Sequence, residues 1–256
     1  MLRTIVERLS RGVVLKRRLP PALGGDKILV SPDASLRHWR LNMSRIDPQL
    51  FELMPRIIRK GDRVWDVGAN VGIFTFAAAY LAGSEGEVTC FEPDAWLVIL
   101  LRKSAQMMSP GRASVEVVPT ALSEAIGLVK FNIARRGRAA SHLAGVGRVQ
   151  AGGERETVTV PAVTLDWVMK QRAAPNVLKI DVEGAENMVL RGAKELLASA
   201  RPTIVCEVGR ELMSEVGGIL KTNGYEITDL DAQHGETPSA DRAFWNILAM
   251  HPATKR

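Results

Sequence analysis

Short apolar runs alternate with longer amphipathic stretches along most of this chain of 256 residues. Apolar runs between turn residues are typical of buried strands, and apolar residues spaced three or four apart predict helices. On this pattern, core strands are predicted at residues 63–67, 87–91, 114–118, 177–180, 203–206, 225–230 and 244–249. Helices are predicted at residues 48–58, 73–82, 95–108, 165–170, 185–199 and 210–222.

Strands that alternate with helices indicate a parallel sheet with helices on both faces. The last two predicted strands follow one another without a helix, which predicts one antiparallel strand at the edge of the sheet. A hairpin is predicted between residues 128–134 and 157–160, on either side of a basic, glycine-rich loop at residues 135–153. The pattern therefore predicts the α/β class, with a Rossmann-like doubly wound sheet that is mostly parallel and has an antiparallel edge strand.

Proline and glycine pairs at residues 20–21 and 24–25 interrupt the pattern near the N-terminus. Such pairs mark turns, so they separate a leading helix from the segment that follows. We predict an N-terminal basic helix and small cap in residues 1–59, and one ligand-binding domain in residues 60–256.

Charge is concentrated in the leading segment. The net charge is +6, and residues 1–18 alone carry six basic side chains against one acid, which leaves +1 for the rest. A nearly neutral body with 5% aromatic residues disfavours a broad nucleic-acid surface, so no nucleic-acid partner is predicted. The leading segment is amphipathic, and it either packs on its own domain or makes peripheral contact with an anionic membrane.

The cysteines and the apolar runs indicate a compartment. Cys90 and Cys206 each lie in a predicted strand, which favours reduced core residues over a disulfide. The sequence has neither the long apolar run of a membrane-spanning helix nor a signal-peptide pattern. We therefore expect a cytoplasmic protein.

A glycine-rich turn follows the first core strand. Asp66, Gly68, Asn70 and Gly72 form a D-x-G-x-N-x-G loop that opens a predicted helix, and Glu92 ends the next strand. An acid at that distance is placed to accept hydrogen bonds from a ribose. A dinucleotide loop grips a pyrophosphate, which the charge of Asp66 would repel, whereas an amine or sulfonium would be attracted. The loop therefore favours S-adenosylmethionine over a dinucleotide.

A second group of acids follows a later strand. Asp181, Glu183 and Glu186 come directly after the strand at residues 177–180, and Glu207 ends the next one. Ligands of open parallel sheets bind outside the carboxyl ends of the strands, so these acids should converge with the glycine-rich loop. Asp181 and Glu183 are candidates for a base, for a metal ligand or for orienting a substrate hydroxyl. Glu186 fits the start of a helix, where a negative charge is favourable.

Five motifs in order resemble the FkbM-type methyltransferases over roughly residues 48–210. They are Asp66-Val67-Gly68-Ala69-Asn70-Val71-Gly72, Phe91-Glu92-Pro93, Ala121-Leu122-Ser123, Thr164-Leu165-Asp166 and Lys179-Ile180-Asp181-Val182-Glu183-Gly184-Ala185-Glu186. The resemblance implies a class I, S-adenosylmethionine-dependent fold and O-methylation of a hydroxyl on a sugar, glycolipid or secondary metabolite. It assigns Asp66, Gly68, Asn70 and Gly72 to the methionine end of the cofactor, Glu92 to the ribose, and Ala121 and Leu122 to the adenine.

Methyl transfer to a hydroxyl requires alignment and a base that draws off the proton. The candidates for this base are Asp181, Glu183 and His142, which lies in the basic loop. The loop arginines are either solvated or attract an anionic small-molecule or glycan acceptor; they are Arg135, Arg136, Arg138 and Arg148. No cysteine and histidine spacing indicates zinc, and no metal is predicted. Two alternatives remain open, a nucleic-acid methyltransferase on the same fold and a non-catalytic scaffold that keeps the cofactor fold.

Overall fold

The computed structural model describes residues 2–146, 153–230 and 244–254, which form helices around one large and two small sheets. The strands are β1 (Leu15–Arg18), β2 (Lys27–Val30), β3 (Arg63–Val67), β4 (Glu87–Phe91), β5 (Ser114–Val118), β6 (Ala121–Leu122), β7 (Gly127–Ala134), β8 (His142–Leu143), β9 (Glu154–Val163), β10 (Val177–Ile180), β11 (Thr203–Gly209), β12 (Glu226–Asp229) and β13 (Phe244–Met250). The α-helices are α1 (Leu2–Leu9), α2 (Pro48–Ile57), α3 (Ile73–Ala82), α4 (Ala95–Ala105), α5 (Leu165–Gln171), α6 (Glu186–Arg191), α7 (Lys194–Ser199) and α8 (Met213–Thr222).

The large sheet has seven strands in the order β12-β13-β11-β10-β3-β4-β5. Neighbouring pairs from β11 to β5 are parallel, and β13 is antiparallel to both of its neighbours. The predicted parallel sheet with one antiparallel strand is confirmed. That strand lies one place inside the edge, because β13 inserts between β11 and β12 and leaves β12 outermost. Pairing with β13 extends β11 to Gly209, beyond the predicted end of that strand.

Side chains of the central strands point alternately to two hydrophobic cores. Val64 packs in a core with α3 and α4, whereas the next residue, Trp65, packs in a core with α5 to α8. Strands that are buried on both faces read as continuous apolar runs, which is why β3 and β10 are apolar throughout except for charged residues near their ends. Cys90 and Cys206 are buried free thiols, as predicted.

The predicted hairpin forms a separate small sheet. β7 and β9 pair in antiparallel fashion, and β6 and β8 flank them in the order β6-β9-β7-β8. This sheet has its own apolar cluster, which includes Phe131, Ile133 and Leu143. The cluster also contains Ala185, so the small sheet packs against the segment that precedes α6.

The leading segment differs from the predicted helix. α1 ends at Leu9, Gly12 adopts a φ of +72°, and β1 then pairs with β2 in antiparallel fashion. Glycine adopts a positive φ freely, whereas residues with a side chain rarely do so, and Gly12 supplies this conformation in the turn between α1 and β1. The division into a cap of residues 1–59 and a domain of residues 60–256 stays a prediction. Leu23 and Ile28 share the hydrophobic core that contains Val64.

The predicted helix at residues 185–199 is two helices. α6 ends at Arg191, and an added Cβ on the next residue, Gly192, would lie 2.2 Å from the carbonyl oxygen of Ser123. The carboxylate of Asp166 then accepts hydrogen bonds from the N–H groups of Glu195 and Leu196 at 3.0 and 2.9 Å. A carboxylate at this position satisfies N–H groups of the first turn, so α7 starts as a new helix. Across the described ranges, none of the helices has the length and apolarity to span a bilayer.

Candidate active site

The carboxyl ends of β3, β4, β10 and β11 converge on one cavity, as the strand-end acids predict. The cavity has a volume of about 270 Å³ and extends to the turn before α2 and to the small sheet. Among the predicted site residues, those that line it are Gly68, Asn70, Glu92, Ala121, Leu122, Asp181 and Glu183, together with Glu207. The predicted cofactor loop of residues 66–72 and the acid cluster of Asp181, Glu183 and Glu207 therefore line the same cavity.

The loop after β3 is held by backbone hydrogen bonds to β4. The N–H groups of Gly68 and Ala69 donate to the carbonyl oxygen of Phe91 at 3.0 and 3.1 Å. Gly68 has a φ of +81°, and an added Cβ would lie 1.8 Å from the carbonyl oxygen of Asp181. Asn70 also has a positive φ, and its side-chain Oδ1 is buried without a hydrogen-bond partner. An unsatisfied acceptor in the cavity wall suits a cationic ligand group, which fits the amine of S-adenosylmethionine.

Glu92 ties this loop to the end of β4. Its carboxylate accepts hydrogen bonds from the N–H groups of Asn70 and Asp94 at 2.8 and 2.9 Å. Burial raises the pKa of Glu92 to about 8; its two backbone hydrogen bonds oppose the rise, and the charges of Asp94 and Asp66 add to it. Glu92 is thus a buried acceptor in the cavity wall, which fits its predicted contact with a ribose.

This raised pKa predicts a pH-dependent stability. In the cofactor-free protein the folded chain holds a proton on Glu92 between pH 4.5 and about 8, where the unfolded chain has lost it. The contribution of Glu92 to the free energy of unfolding is therefore fully present below pH 4.5 and is lost as the pH rises towards 8. The slope is at most about 1.4 kcal/mol per pH unit. Urea denaturation across this range should show that Glu92→Gln reduces the slope, to which Glu207 still contributes because its pKa is also raised.

Glu85→Gln is the matched control, because Glu85 is exposed in the turn before β4. It should leave the slope unchanged. A slope in Glu92→Gln equal to that of the unchanged protein would contradict the assignment of this titration to Glu92.

Asp66 and Gly72 are not among the described residues that line the cavity. Asp66 is fully buried; its carboxylate accepts a hydrogen bond from Thr75 at 2.6 Å and lies 3.4 Å from Lys179 Nζ. Gly72 has a φ of +84°, and an added Cβ would meet the side chains of Phe76 and Leu101 at 2.5 and 2.6 Å. Both residues contact the protein interior rather than the cavity, so direct contact of either residue with the cofactor stays a prediction.

Lys179 is the cation at the centre of the acid cluster. Its Nζ lies 3.1 Å from Asp181 Oδ2 and 3.4 Å from Asp66 Oδ1. Burial by itself lowers the pKa of Lys179, but the charges of Asp181 and Asp66 outweigh burial and raise the pKa above its ordinary value. Lys179 therefore stays charged and links the loop after β3 to the turn after β10.

Glu183 and Glu207 lie beside this ion pair. Burial, followed by the charges of Asp181 and Glu207, raises the pKa of Glu183 well above its ordinary value. The charge of Asp181, followed by burial, raises the pKa of Glu207 to about 8. A carboxylate with a raised pKa is a stronger base once it is ionised, and the pKa of Glu207 lies near neutral pH, so this pair of side chains suits proton transfer. Glu186 instead accepts a hydrogen bond from the N–H of Gly184 at 2.9 Å, at the start of α6.

His142 is not among the described residues that line the cavity. Ser141 and Leu143 line the cavity, and strand alternation turns the side chain between them to the opposite face. His142 is buried there, with Nδ1 3.1 Å from the carbonyl oxygen of Ala140. The prediction of His142 as a base is therefore not supported by its position, because a base must lie within reach of the proton it accepts.

Two arginines of the predicted basic loop form ion pairs within the protein. Arg136 pairs with Glu7 at 3.1 Å, and Arg138 pairs with Asp33 at 3.1 Å and with Asp94. These ion pairs attach the loop to the N-terminal segment and to the start of α4. Arg135 is exposed, and Arg148 lies outside the described residues.

Three further residues of the cavity are not identified by the sequence pattern. Asp47 begins α2, where its carboxylate accepts a hydrogen bond from the N–H of Leu50 at 3.0 Å, and Arg37 and His38 lie in the 3-10 turn Leu36–Trp39. The Asp-Pro pair of residues 47 and 48 signals a helix start but not the side of the fold on which it lies. Within the described ranges, no cluster of cysteine, histidine and acidic residues has the arrangement of a metal site.

Comparison with known proteins agrees with this geometry. A solved FkbM methyltransferase from Methylobacillus flagellatus superimposes with a TM-score of 0.52 at 15% identity, over 77% of this chain and 50% of that one. The sheet order and this likeness define the class as a Rossmann-like class I methyltransferase fold. A family model described as the methyltransferase FkbM domain matches residues 66–227. The chain belongs to the FkbM family of S-adenosylmethionine-dependent methyltransferases.

The name of one curated relative gives the substrate class of that relative. The hexuronic acid methyltransferase AglP of Haloferax volcanii is 27% identical to this chain over 171 residues. The match covers 65% of this chain and 64% of that protein, so it spans less than two thirds of the relative's length.

Proposed function

We propose that this protein is an S-adenosylmethionine-dependent O-methyltransferase that acts on a hydroxyl of a sugar, glycolipid or secondary metabolite. The observation that carries the proposal is the acid cluster of Asp181, Glu183 and Glu207, which lines the same cavity as the cofactor loop. A hydroxyl attacks poorly until a base draws off its proton, and this cluster supplies carboxylates for that task.

The residues that would hold the cofactor are Gly68, Asn70, Glu92, Ala121 and Leu122. Gly68 lets the backbone approach closely, and the buried Oδ1 of Asn70 is an acceptor in need of a donor. Glu92 offers a buried carboxylate, and Ala121 and Leu122 offer an apolar surface. When bound, S-adenosylmethionine supplies an activated methyl group on a sulfonium.

We assign different roles to Asp181 and to the two glutamates, Glu183 and Glu207. Asp181 is occupied by its ion pair with Lys179, so we assign it to positioning. Glu183 and Glu207 have raised pKa values, so we assign proton acceptance to this pair. Collinear alignment of the acceptor with the reacting methyl group depends on the rigid contact between Gly68 and the turn that contains Asp181.

An acidic sugar is the acceptor class that we favour. Arg37 is exposed at the cavity wall and donates a hydrogen bond to the carbonyl oxygen of Ile46 at 3.4 Å, without an ion pair to any described carboxylate. The guanidinium of Arg138, in contrast, is taken by Asp33 and Asp94. Arg37 is therefore the cation that would pair with a carboxylate of the acceptor. The naming of the relative AglP for hexuronic acid supports this choice.

Turnover of glycans that contain hexuronic acid tests the proposal. The double variant Glu183→Gln/Glu207→Gln should lower kcat at least about 100-fold, the lower range for loss of general base catalysis. Calorimetry should show unchanged binding of S-adenosylhomocysteine in this variant, because neither side chain is assigned to the cofactor. NAD should not bind either protein.

His142→Asn is the matched control, and it should leave kcat unchanged because His142 faces away from the cavity. An unchanged kcat in the double variant would overturn the hydroxyl assignment, since a sugar carboxylate can accept a methyl group without a base. Binding of S-adenosylhomocysteine without turnover of any glycan, lipid or metabolite acceptor would favour the non-catalytic scaffold.

A further inference from the structure

The N-terminal part of the chain carries all of its net positive charge. Residues 1–46 contain ten lysines and arginines and three acids, so their net charge is +7 and that of the remaining residues is −1. The three acids are Glu7, Asp26 and Asp33, which are 7%, 3% and 4% exposed. Each is paired with an arginine from a later part of the chain. The exposed charge of this segment is therefore positive.

Large apolar side chains are exposed in the same segment. Leu9, Val14, Trp39 and Leu41 are 73%, 42%, 45% and 85% exposed. They are half of the large apolar side chains that are exposed in the described ranges; the others are Ile99, Ile126, Leu128 and Trp167. Exposed apolar side chains in a segment with exposed positive charges indicate a candidate interaction surface.

Hydrogen bonds join the end of α1 and strand β1 to the turn that contains Trp39. Trp39 Nε1 donates to Ser10 Oγ at 3.2 Å, which joins the 3-10 turn Leu36–Trp39 to the end of α1. Arg17 on β1 donates to the carbonyl oxygens of Arg40 and Trp39 at 3.0 and 3.3 Å. We call this surface the basic face. It comprises Arg8, Leu9, Arg11, Arg17, Trp39, Arg40 and Leu41.

We propose that the basic face binds the surface of an anionic lipid bilayer. Lysine and arginine are attracted to anionic headgroups, and leucine and tryptophan beside them insert at the interface. A nucleic acid fits less well, because Leu9 and Leu41 cannot stack on bases and Trp39 is the one aromatic residue of the basic face. Arg37, in the same turn as Trp39, lines the cavity, so binding would place the cavity entrance beside the bilayer.

Sedimentation of the full chain with lipid vesicles tests this proposal without cofactor or acceptor, so its outcome is independent of the methyltransferase assignment. The protein should sediment with vesicles of equal parts phosphatidylcholine and phosphatidylglycerol and not with pure phosphatidylcholine. The binding should weaken as salt is added, because salt screens the attraction. The double variant Arg8→Glu/Arg11→Glu, at two exposed positions near the end of α1, should lower the partition coefficient at least about tenfold.

Two matched controls separate the basic face from general effects of charge and apolarity. Lys103→Glu/Lys221→Glu changes the net charge equally at exposed positions elsewhere and should leave the partition coefficient nearly unchanged. Leu41→Asp should weaken binding, whereas Leu128→Asp, at a side chain that is 77% exposed on β7, should not. Equal losses in either pair, no binding to anionic vesicles, or stronger binding to duplex RNA than to vesicles would overturn the proposal.

Discussion

Lys179→Met is expected to destabilise the protein by about 3–5 kcal/mol at neutral pH, the range for removing one partner of a buried ion pair. Only 11% of the Lys179 side chain is exposed, and it lies between the carboxylates of Asp66 and Asp181. Without it, these charges remain close to Glu183 and Glu207 with no cation between them. Urea denaturation measures the loss. The deficit should shrink at lower pH, because the crowded carboxylates then take up protons in the folded state.

Lys170→Met is the matched control. Lys170 pairs with Glu195 at 3.5 Å, but 63% and 55% of these side chains are exposed. Exposed ion pairs contribute about 0–1 kcal/mol, so the same substitution should cost little here. Equal losses in the two variants would mean that the buried pair does not hold the site together.

Gly68→Ala is expected to lose about 2–5 kcal/mol of stability and measurable binding of S-adenosylhomocysteine. A left-handed backbone costs a residue with a Cβ about 1–2 kcal/mol, and overpacking typically adds about 1–3 kcal/mol. The added Cβ would lie 1.8 Å from the carbonyl oxygen of Asp181, which is backbone and cannot rotate away. Thermal or urea denaturation together with calorimetry measures both losses.

Gly61→Ala separates the two causes. Gly61 has the same φ of +81°, but an added Cβ would meet no atom within 4 Å. This variant should lose only the cost of the backbone conformation and should bind S-adenosylhomocysteine normally. If Gly68→Ala lost no more stability than Gly61→Ala, the close approach of the turn after β3 to the turn after β10 would not contribute to stability.

Lys179 and Gly68 both contribute to the contact between the end of β3 and the turn after β10. Gly68 lets the turn after β3 touch the turn after β10, and Lys179 joins the carboxylates of Asp66 and Asp181 across it. The loop assigned to the cofactor and the acids assigned to the acceptor are thereby held in fixed relation. In methyl transfer this relation matters, because alignment of the reacting atoms contributes much of the acceleration.

Sequence by itself determined the central strands and the placement of the strand-end acids at one edge of the sheet. The runs that became β3, β4 and β10 are apolar because both faces of the sheet are covered, so local pattern was enough to find them. The strand-end acids could be assigned to one edge of the sheet from the sequence alone, because parallel strands present their carboxyl ends on the same side. Glu92, Asp181 and Glu183 line the cavity for this reason.

Tertiary structure decided which side chains face the cavity and where helices break. Asp66 and His142 have suitable chemistry, but their side chains, on β3 and β8, do not lie in the described cavity wall. Arg37 and Asp47 line the cavity because the N-terminal segment folds over the sheet, a packing that no local pattern encodes. The break between α6 and α7 likewise depends on Asp166, a capping residue almost thirty positions before the N–H groups that it binds. Side-chain direction and long-range capping are set by packing between distant segments, whereas strands and their end residues are set by neighbours along the chain.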